Sequence, residues 1–350
     1  MGAAGDGRHR GTAAENRDWR VVRRIRYDRS SRIIDGQPQF GFHAGPRRFA
    51  VEFGAHWVAE LIDGAVAWRA GATNPDLSAI HLDAAFELPR FVAVTPDGSV
   101  LVTDAQGVHR VSLSERRVSQ LVSAAAVGVV EPGNCDVDPA GHLWLNDITG
   151  HQVIELTPAG QVVRRFGDGV DGFQLGTVPG GKARFGGIYD LRCGADGRVY
   201  VLDSTNFAVR VIEPRAGSVT TICGSGEPGS GGDGGPAVNA RLGGDAGADF
   251  DGPWSLVVGH TGDIIIGDTH NHAVRRISAR TGTISTIADA RSSSPQAEGV
   301  RGEQRSLFTR ICGMDQDASG RLLVPDWVNE ETDELVVLEL VPPDDRPRHS

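Results

Sequence analysis

Titratable and aromatic side chains occupy corresponding places in a recurring segment of this chain. His270 comes two residues after Asp268, in the turn that follows an apolar run. Because histidine titrates near neutral pH, it can serve as an acid, a base or a metal ligand. The pair Tyr189-Asp190 and the single residue Trp254 precede comparable apolar runs. These residue types suit proton transfer on a small molecule that is covered by aromatic rings.

A repeat positions these residues: an aspartate follows a glycine by six residues. The intervening residues are mostly apolar and predict a short buried strand bounded by two turns. Recurrence at a long period indicates one supersecondary unit that is stacked repeatedly. The copies are Gly98 to Asp104, Gly141 to Asp147, Gly197 to Asp203, Gly262 to Asp268 and Gly320 to Asp326.

A weaker unit precedes these copies, with Ala55 in the glycine place and Leu61 in the aspartate place. Short strands, glycine-rich turns and the near absence of helical periodicity predict an all-β, six-bladed propeller of four-stranded antiparallel blades. The strand around 19–27 has no unit of its own. We expect it to pair with residues 335–341 as the outer strand of the last blade, which would close the ring and remove its exposed edges. The expected organisation is a tail over 1–18, a propeller over 19–342 and a second tail over 343–350.

The fifth unit, FDGPWSLVVGHTGDIIIGDTHNHAVRRISARTGTISTIA, resembles an NHL repeat, and the unit GADGRVYVLDSTNFAVRVIEPRAGSVTTICGSG is similar to it. The segment GSGEPGSGGDGGPAVNARL resembles the glycine-rich linker between bacterial NHL repeats. The resemblance extends over about residues 45 to 340. It implies the propeller fold, on which many unrelated activities occur.

Free-standing propellers that this chain resembles, the strictosidine synthase-like, gluconolactonase-like and amidating-lyase groups, are enzymes. The resemblance therefore implies lyase, isomerase, cyclase or hydrolase chemistry without a redox cofactor. In the amidating lyases the turn position that matches His270 carries a catalytic tyrosine. Their zinc-binding histidines have no counterpart here, where Trp254 and Cys312 stand. The alternative is a non-catalytic NHL scaffold that binds a protein or a small ligand.

In a propeller blade, the start of the inner strand and the turn after the second strand lie at the same rim. We expect that rim to form a mouth that holds a small molecule with an anionic or carbonyl group, because arginine grips carboxylates and phosphates bidentately. The expected catalytic residues are His270, Tyr189 and Asp190. The expected substrate-binding residues are Arg48, Arg90, Asn134, Trp254 and Trp327.

Two further acids, Asp136 and Asp315, occupy a small-residue place on their inner strands. A buried carboxylate there must be paired, protonated or metal-bound. A hydrogen bond to a neighbouring blade is one reading. A Ca²⁺ or Mg²⁺ ion in the central channel is the other, because oxygen-rich rings suit these cations.

Three long insertions, 167–187, 223–252 and 291–307, join consecutive units over the same mouth. Long loops gathered over one end of a closed β-scaffold commonly carry binding sites. Because glycine is abundant and large apolar side chains are few, we expect these loops to be mobile or lid-like.

Composition restricts the class of protein. A net charge of −10 argues against a nucleic-acid partner. No apolar run is long enough for a membrane span or a secretory signal, so a cytoplasmic location is expected. The four cysteines are far apart and read as reduced, buried thiols. The motif Gly224-x-Gly226-x-x-Gly229 is not followed by a helix, and no NAD, flavin or haem signature is visible. The sequence leaves the oligomeric state open.

Overall fold

The computed structural model describes residues 20–27, 48–52, 56–62, 65–71, 80–82, 84–95, 97–244, 252–289, 308, 311, 313–329 and 334–341. Both tails expected from the sequence and the insertion 291–307 lie outside these residues. Of the helices that the structure describes, none has the length and apolar character needed to cross a membrane.

The described strands form six sheets, and neighbouring strands are antiparallel except β4 and β5. The molecule is therefore an all-β propeller whose blades are mainly four-stranded antiparallel sheets. In chain order the strands are β1 (Arg20–Tyr27), β2 (Arg48–Glu52), β3 (Trp57–Ile62), β4 (Ala65–Gly71), β5 (Ile80–Leu82), β6 (Phe91–Val94), β7 (Val100–Asp104), β8 (Gly107–Ser112), β9 (Arg117–Ser123), β10 (Pro132–Val137), β11 (Leu143–Asp147), β12 (Gln152–Leu156) and β13 (Val162–Phe166).

The remaining strands are β14 (Thr177–Pro179), β15 (Ile188–Cys193), β16 (Val199–Asp203), β17 (Ala208–Glu213), β18 (Ser218–Cys223), β19 (Ser255–Val258), β20 (Ile264–Asp268), β21 (Ala273–Ile277), β22 (Ile284–Asp289), β23 (Asp315–Gln316), β24 (Leu322–Asn329) and β25 (Glu334–Val341). Short 3-10 turns cover Gly180–Lys182, Ser204–Asn206, Ala237–Asn239 and Thr269–Asn271. Five sheets follow chain order from β2–β5 to β19–β22, with β14 added at the edge of the fourth. In the last sheet the order is β1-β25-β24-β23, and Arg20 of β1 lies opposite Val341 of β25.

The repeat explains this architecture locally. The apolar residues between glycine and aspartate form the second strand of the blade, and every residue of β7, β11, β16 and β20 is buried. The glycine before each strand needs a positive φ, which is +76° at Gly197 and +81° at Gly262. Apolar clusters pack between consecutive sheets, so the core is distributed around the blades.

The repeated aspartates whose side chains the structure describes bind each turn to the loop that enters the blade. Asp147 accepts backbone N–H groups from Val130, Glu131 and Gly150 at 2.8, 2.9 and 3.0 Å. Asp203 pairs with the buried Arg210 at 3.1 Å, and Asp268 lies 3.6 Å from the buried Arg275. These contacts make the aspartates part of the scaffold.

The expectation of loosely attached, lid-like insertions is wrong for the parts that the structure describes. Phe185 in the first insertion and Leu242 in the second are fully buried. Each insertion accepts an N–H from an arginine of the third strand, through the carbonyl oxygens of Arg184 and Arg241. Residues 245–251 of the second insertion lie outside the described residues. The sequence argument failed because a few apolar residues and many backbone hydrogen bonds are enough to fix a glycine-rich segment against a blade.

The cysteines that the structure describes are free thiols, with Cys135 and Cys223 buried and Cys193 partly buried. Burial raises the pKa of the Cys223 thiol to about 12, so it stays protonated and unreactive. Cys312 lies outside the described residues.

Candidate functional site

The inner strands bring the candidate residues to one part of the fold. Strand β10 lies between β6 and β15, and β15 in turn contacts β19. Arg90, Asn134, Tyr189 and Trp254 lie at or just before the starts of these strands. The strands that carry them are therefore neighbours, and the common mouth that these residues are expected to line stays a prediction.

Asn134 and Asp190 are in direct contact across two blades. The side-chain amide of Asn134 donates to Oδ1 of Asp190 over 2.6 Å. The backbone N–H groups of Leu191 and Leu256 donate to the same carboxylate over 2.8 and 2.7 Å. Burial raises the pKa of Asp190, while the positive charge of Arg192 opposes that rise. A buried carboxylate with this many donors is held in one orientation.

Arg192 is a residue of this region that the sequence analysis did not select. Its Nε lies 3.3 Å from Oδ1 of Asp190 and donates to the carbonyl oxygen of Leu256 over 3.0 Å. The guanidinium also lies over the ring of Phe91, 4.5 Å from its centroid. The available signal was strand alternation, because residues 190 and 192 face the same side of one inner strand.

Asp136 and Asp315 lie in the same region and are partly buried. Oδ2 of Asp136 accepts the backbone N–H of Cys193 on the neighbouring blade over 2.8 Å. Oδ1 of Asp315 accepts the N–H of Gln316 over 2.8 Å. The inter-blade hydrogen bond expected as the alternative to metal binding is therefore present at Asp136. We call Asp136, Asp190, Arg192 and Asp315 the channel cluster.

A second group consists of Arg90, Glu131 and Tyr189. Nη2 of Arg90 pairs with Oε1 of Glu131 at 2.6 Å, and both side chains are partly exposed. Burial, followed by the negative charge of Glu131, raises the pKa of Tyr189 to about 12, against the opposing effect of Arg90. The phenol therefore stays protonated at neutral pH and offers a hydrogen bond. Glu131 was missed by the sequence analysis because it lies in a connecting loop without a repeat pattern.

His270 packs between an aromatic ring and a backbone. Its ring meets Trp254 edge to face, with 5.7 Å between centroids and an interplanar angle of 78°. A Cβ placed on Gly244 would lie 3.0 Å from Cβ of His270. Nε2 of His270 is buried and has no hydrogen-bond partner among the described residues. By contrast, Nδ1 atoms of His151 and His272 contact the carbonyl oxygens of Gly186 and Phe308 at 3.0 Å, which ties both rings to the scaffold.

Two predicted substrate-binding residues are described only through their backbones. Arg48 lies in β2 and Trp327 in β24. The positions of their side chains lie outside the described part of the structure, so their participation stays a prediction.

A separate group can be tested as a metal site. Ligand atoms of Asp138, His142 and Glu155 lie within 4.8 Å of one another. However, Arg164 pairs with Glu155, and Nε1 of Trp144 donates to Asp138 over 3.0 Å. His142 is also 2.6 Å from Glu155. These contacts account for the cluster as a hydrogen-bonded network, and it was not selected from the sequence.

Comparison with known proteins identifies the repeat. The NHL repeat family matches residues 250–277, which include β19, β20 and the turn that carries His270. The chain carries an NHL repeat. NHL repeat-containing protein 2 of Bos taurus is 28% identical over 112 residues, which is 31% of this chain and 14% of that protein. The match thus spans a minor part of the bovine relative.

Solved structures agree with this propeller in fold. Virginiamycin B lyase from Staphylococcus aureus has a TM-score of 0.52 and 13% identity, with 93% of this chain and 100% of that chain covered. A gluconolactonase from Xanthomonas campestris has a TM-score of 0.53 and 12% identity, with 87% and 89% covered. Other matched propellers include a nutrient-binding protein and one of unknown function. These likenesses show the propeller fold alone.

Proposed function

We propose that this NHL-type propeller is a small-molecule enzyme of the lyase, isomerase, cyclase or hydrolase type that acts at its mouth. The observation that carries the proposal is the unpartnered, buried Nε2 of His270 beside Trp254. A buried polar atom without a partner costs free energy, so such atoms in folded proteins call for an explanation. A substrate atom that exchanges a proton with Nε2 supplies one.

The other mouth residues fit defined roles. The protonated phenol of Tyr189 donates a hydrogen bond to a carbonyl or hydroxyl oxygen. Arg90 offers positive charge to an anionic group, although Glu131 already occupies one of its nitrogens. Asp190 holds Asn134 in place and is surrounded by donors, so in this scheme it orients the site while His270 moves the proton.

The alternative is a non-catalytic scaffold that binds a protein or ligand. The observation that favours it is apolar exposure close to the mouth. Val130, adjacent to Glu131, is 75% exposed, and Leu175 in the first insertion is 61% exposed. Exposed apolar groups of this kind often mark binding surfaces when they form one patch. The nutrient-binding propeller among the matched structures is consistent with this reading.

We also propose that the six sheets form one six-bladed ring, with β1 as the outer strand of the last blade. The pairing of β1 with β25 supports this arrangement, as does the contact of each inner strand from β2 to β23 with the next. Closure would bring residues of the first and last blades to the same mouth. It would also leave no unpaired strand edge between the ends of the chain.

The enzyme proposal is tested with a panel of lactones, esters and cyclic depsipeptides, with product formation followed by mass spectrometry. His270→Ala should reduce turnover by about 10²-fold or more, the usual contribution of a general acid or base, while melting at the parent temperature. The matched control is His260→Ala, because His260 is exposed and its Nε2 contacts the backbone carbonyl oxygen of Asp317. Ligand-induced stabilisation without turnover, equal in parent and His270→Ala, would support the scaffold instead.

A further inference from the structure

One arginine contacts residues in or next to the inner strands of four blades. Arg192 belongs to β15 and pairs with Asp190 of the same strand. It donates to the carbonyl oxygen of Leu256 in β19 and, over 3.3 Å, to that of Met314 just before β23. Its guanidinium also covers Phe91 of β6. Only 9% of its side chain is exposed, so these contacts lie inside the protein.

Three carboxylates act on this one cation. Burial lowers the pKa of Arg192, but the negative charges of Asp190, Asp315 and Asp136 outweigh burial and raise it overall. The guanidinium therefore stays charged although it is removed from water. Its charge in turn opposes the burial-driven rise in the pKa of Asp190. The channel cluster is thus an ionic network with a positive centre that the chain itself provides.

The geometry of arginine suits this position. A guanidinium presents five N–H donors in a rigid plane and can bond several acceptors on different elements at once. A Ca²⁺ ion would instead need six to eight oxygen ligands at short distance. Within the cluster, Oδ1 and Oδ2 of Asp136 already receive the N–H groups of Val137 and Cys193. The carbonyl oxygens of Leu256 and Met314 accept N–H groups of Arg192.

We propose that the guanidinium of Arg192 supplies the positive charge of the central channel. It takes the place of the Ca²⁺ or Mg²⁺ ion that Asp136 and Asp315 were expected to bind. The charge that a divalent ion would supply between the blades comes from the guanidinium. The folded protein then needs no channel metal. This inference concerns the scaffold and holds whether the mouth is catalytic or only binds a ligand.

The test uses the full chain and compares the parent protein with Arg192→Met, Arg192→Lys and the control Arg275→Met. Arg275 is also buried, with 1% of its side chain exposed, but it pairs with Asp233 and Asp268 and lies in the third strand of its blade. Melting temperatures are measured in EDTA, in CaCl₂ and in MgCl₂, and bound metal is determined by elemental analysis. Measuring the parent alone already tests the proposal if a variant fails to fold.

The parent should contain less than stoichiometric metal and melt at the same temperature in all three solutions. Arg192→Met should melt lower in EDTA and recover on the order of 5 °C with Ca²⁺, since Asp190 then loses its guanidinium partner and Ca²⁺ can supply positive charge. Arg192→Lys should show a smaller loss, and Arg275→Met should lose stability without any response to metal. Stoichiometric Ca²⁺ or Mg²⁺ in the parent, with a lower melting temperature in EDTA, would overturn the proposal. An unchanged melting temperature of Arg192→Met in EDTA would overturn it as well.

Discussion

The side-chain amide of Asn134 lies 2.6 Å from Oδ1 of Asp190, although 56 residues separate them along the chain. The two residues are each the third residue of an inner strand, in consecutive blades, and their contact exists only because those strands lie side by side. The same carboxylate receives the backbone N–H of Leu256 from the following blade. Asp190 therefore joins three blades at the mouth.

Asp190→Asn should lower the free energy of unfolding by about 3 kcal/mol, because removing one partner of a buried ion pair takes compensating charge away from the cation that stays buried. The partner left behind is Arg192. Urea unfolding of parent and variant measures the difference. Asp171→Asn is the control, since Asp171 is exposed and should change stability little. Equal stabilities of Asp190→Asn and the parent would contradict the role given to this carboxylate.

Asp203 should give stability a distinctive pH dependence. Burial raises its pKa to about 6, against the opposing effects of Arg210 and Asn206. Because the folded state then binds a proton more tightly than the unfolded state, this group's contribution falls as pH rises from about 4 to about 6. The free energy of unfolding of the parent minus that of Asp203→Asn should decrease by up to about 3 kcal/mol over this window. Urea titrations at several pH values measure it, and a difference that grows with pH would refute the prediction.

The second insertion should contribute to stability as a packed element. Leu242 is fully buried between blades, so Leu242→Ala should lower the free energy of unfolding by about 2–5 kcal/mol. Val238 lies in the same insertion and is 41% exposed, so Val238→Ala should change it by less than about 0.5 kcal/mol. Chemical denaturation of both variants distinguishes a packed segment from a lid. Similar small effects in the two variants would restore the lid interpretation.

Removing the first strand should weaken the last blade. Deletion of residues 1–27 takes away β1 and leaves β25 paired on one edge only, with β24. The exposed edge should lower the melting temperature and promote aggregation. Deletion of residues 1–18 retains β1 and serves as the control. Thermal melting and light scattering measure both effects, and a truncated protein that melts like the control would argue against closure by β1.

The repeating unit is a local property of the amino-acid sequence. Glycine at the turn, an apolar strand and an aspartate at its end are local features, because turn conformation and strand burial depend on a few adjacent residues. The aspartates at 147, 203 and 268 and the histidines at 151 and 272 lie in the turns of this unit, and their hydrogen bonds make them part of the scaffold. The propeller itself followed from repetition, since one unit cannot bury both of its faces alone.

Which side chains and backbone groups from distant parts of the sequence meet depends on the tertiary structure. The contacts of Arg192 with Leu256, Met314 and Phe91 join four blades, and no spacing within β15 encodes them. The same holds for the fixing of the insertions, where Arg184 and Arg241 offer carbonyl oxygens to arginines of the third strands. Such contacts arise when blades come side by side, because the energy of a buried charge depends on everything packed around it rather than on its sequence neighbours.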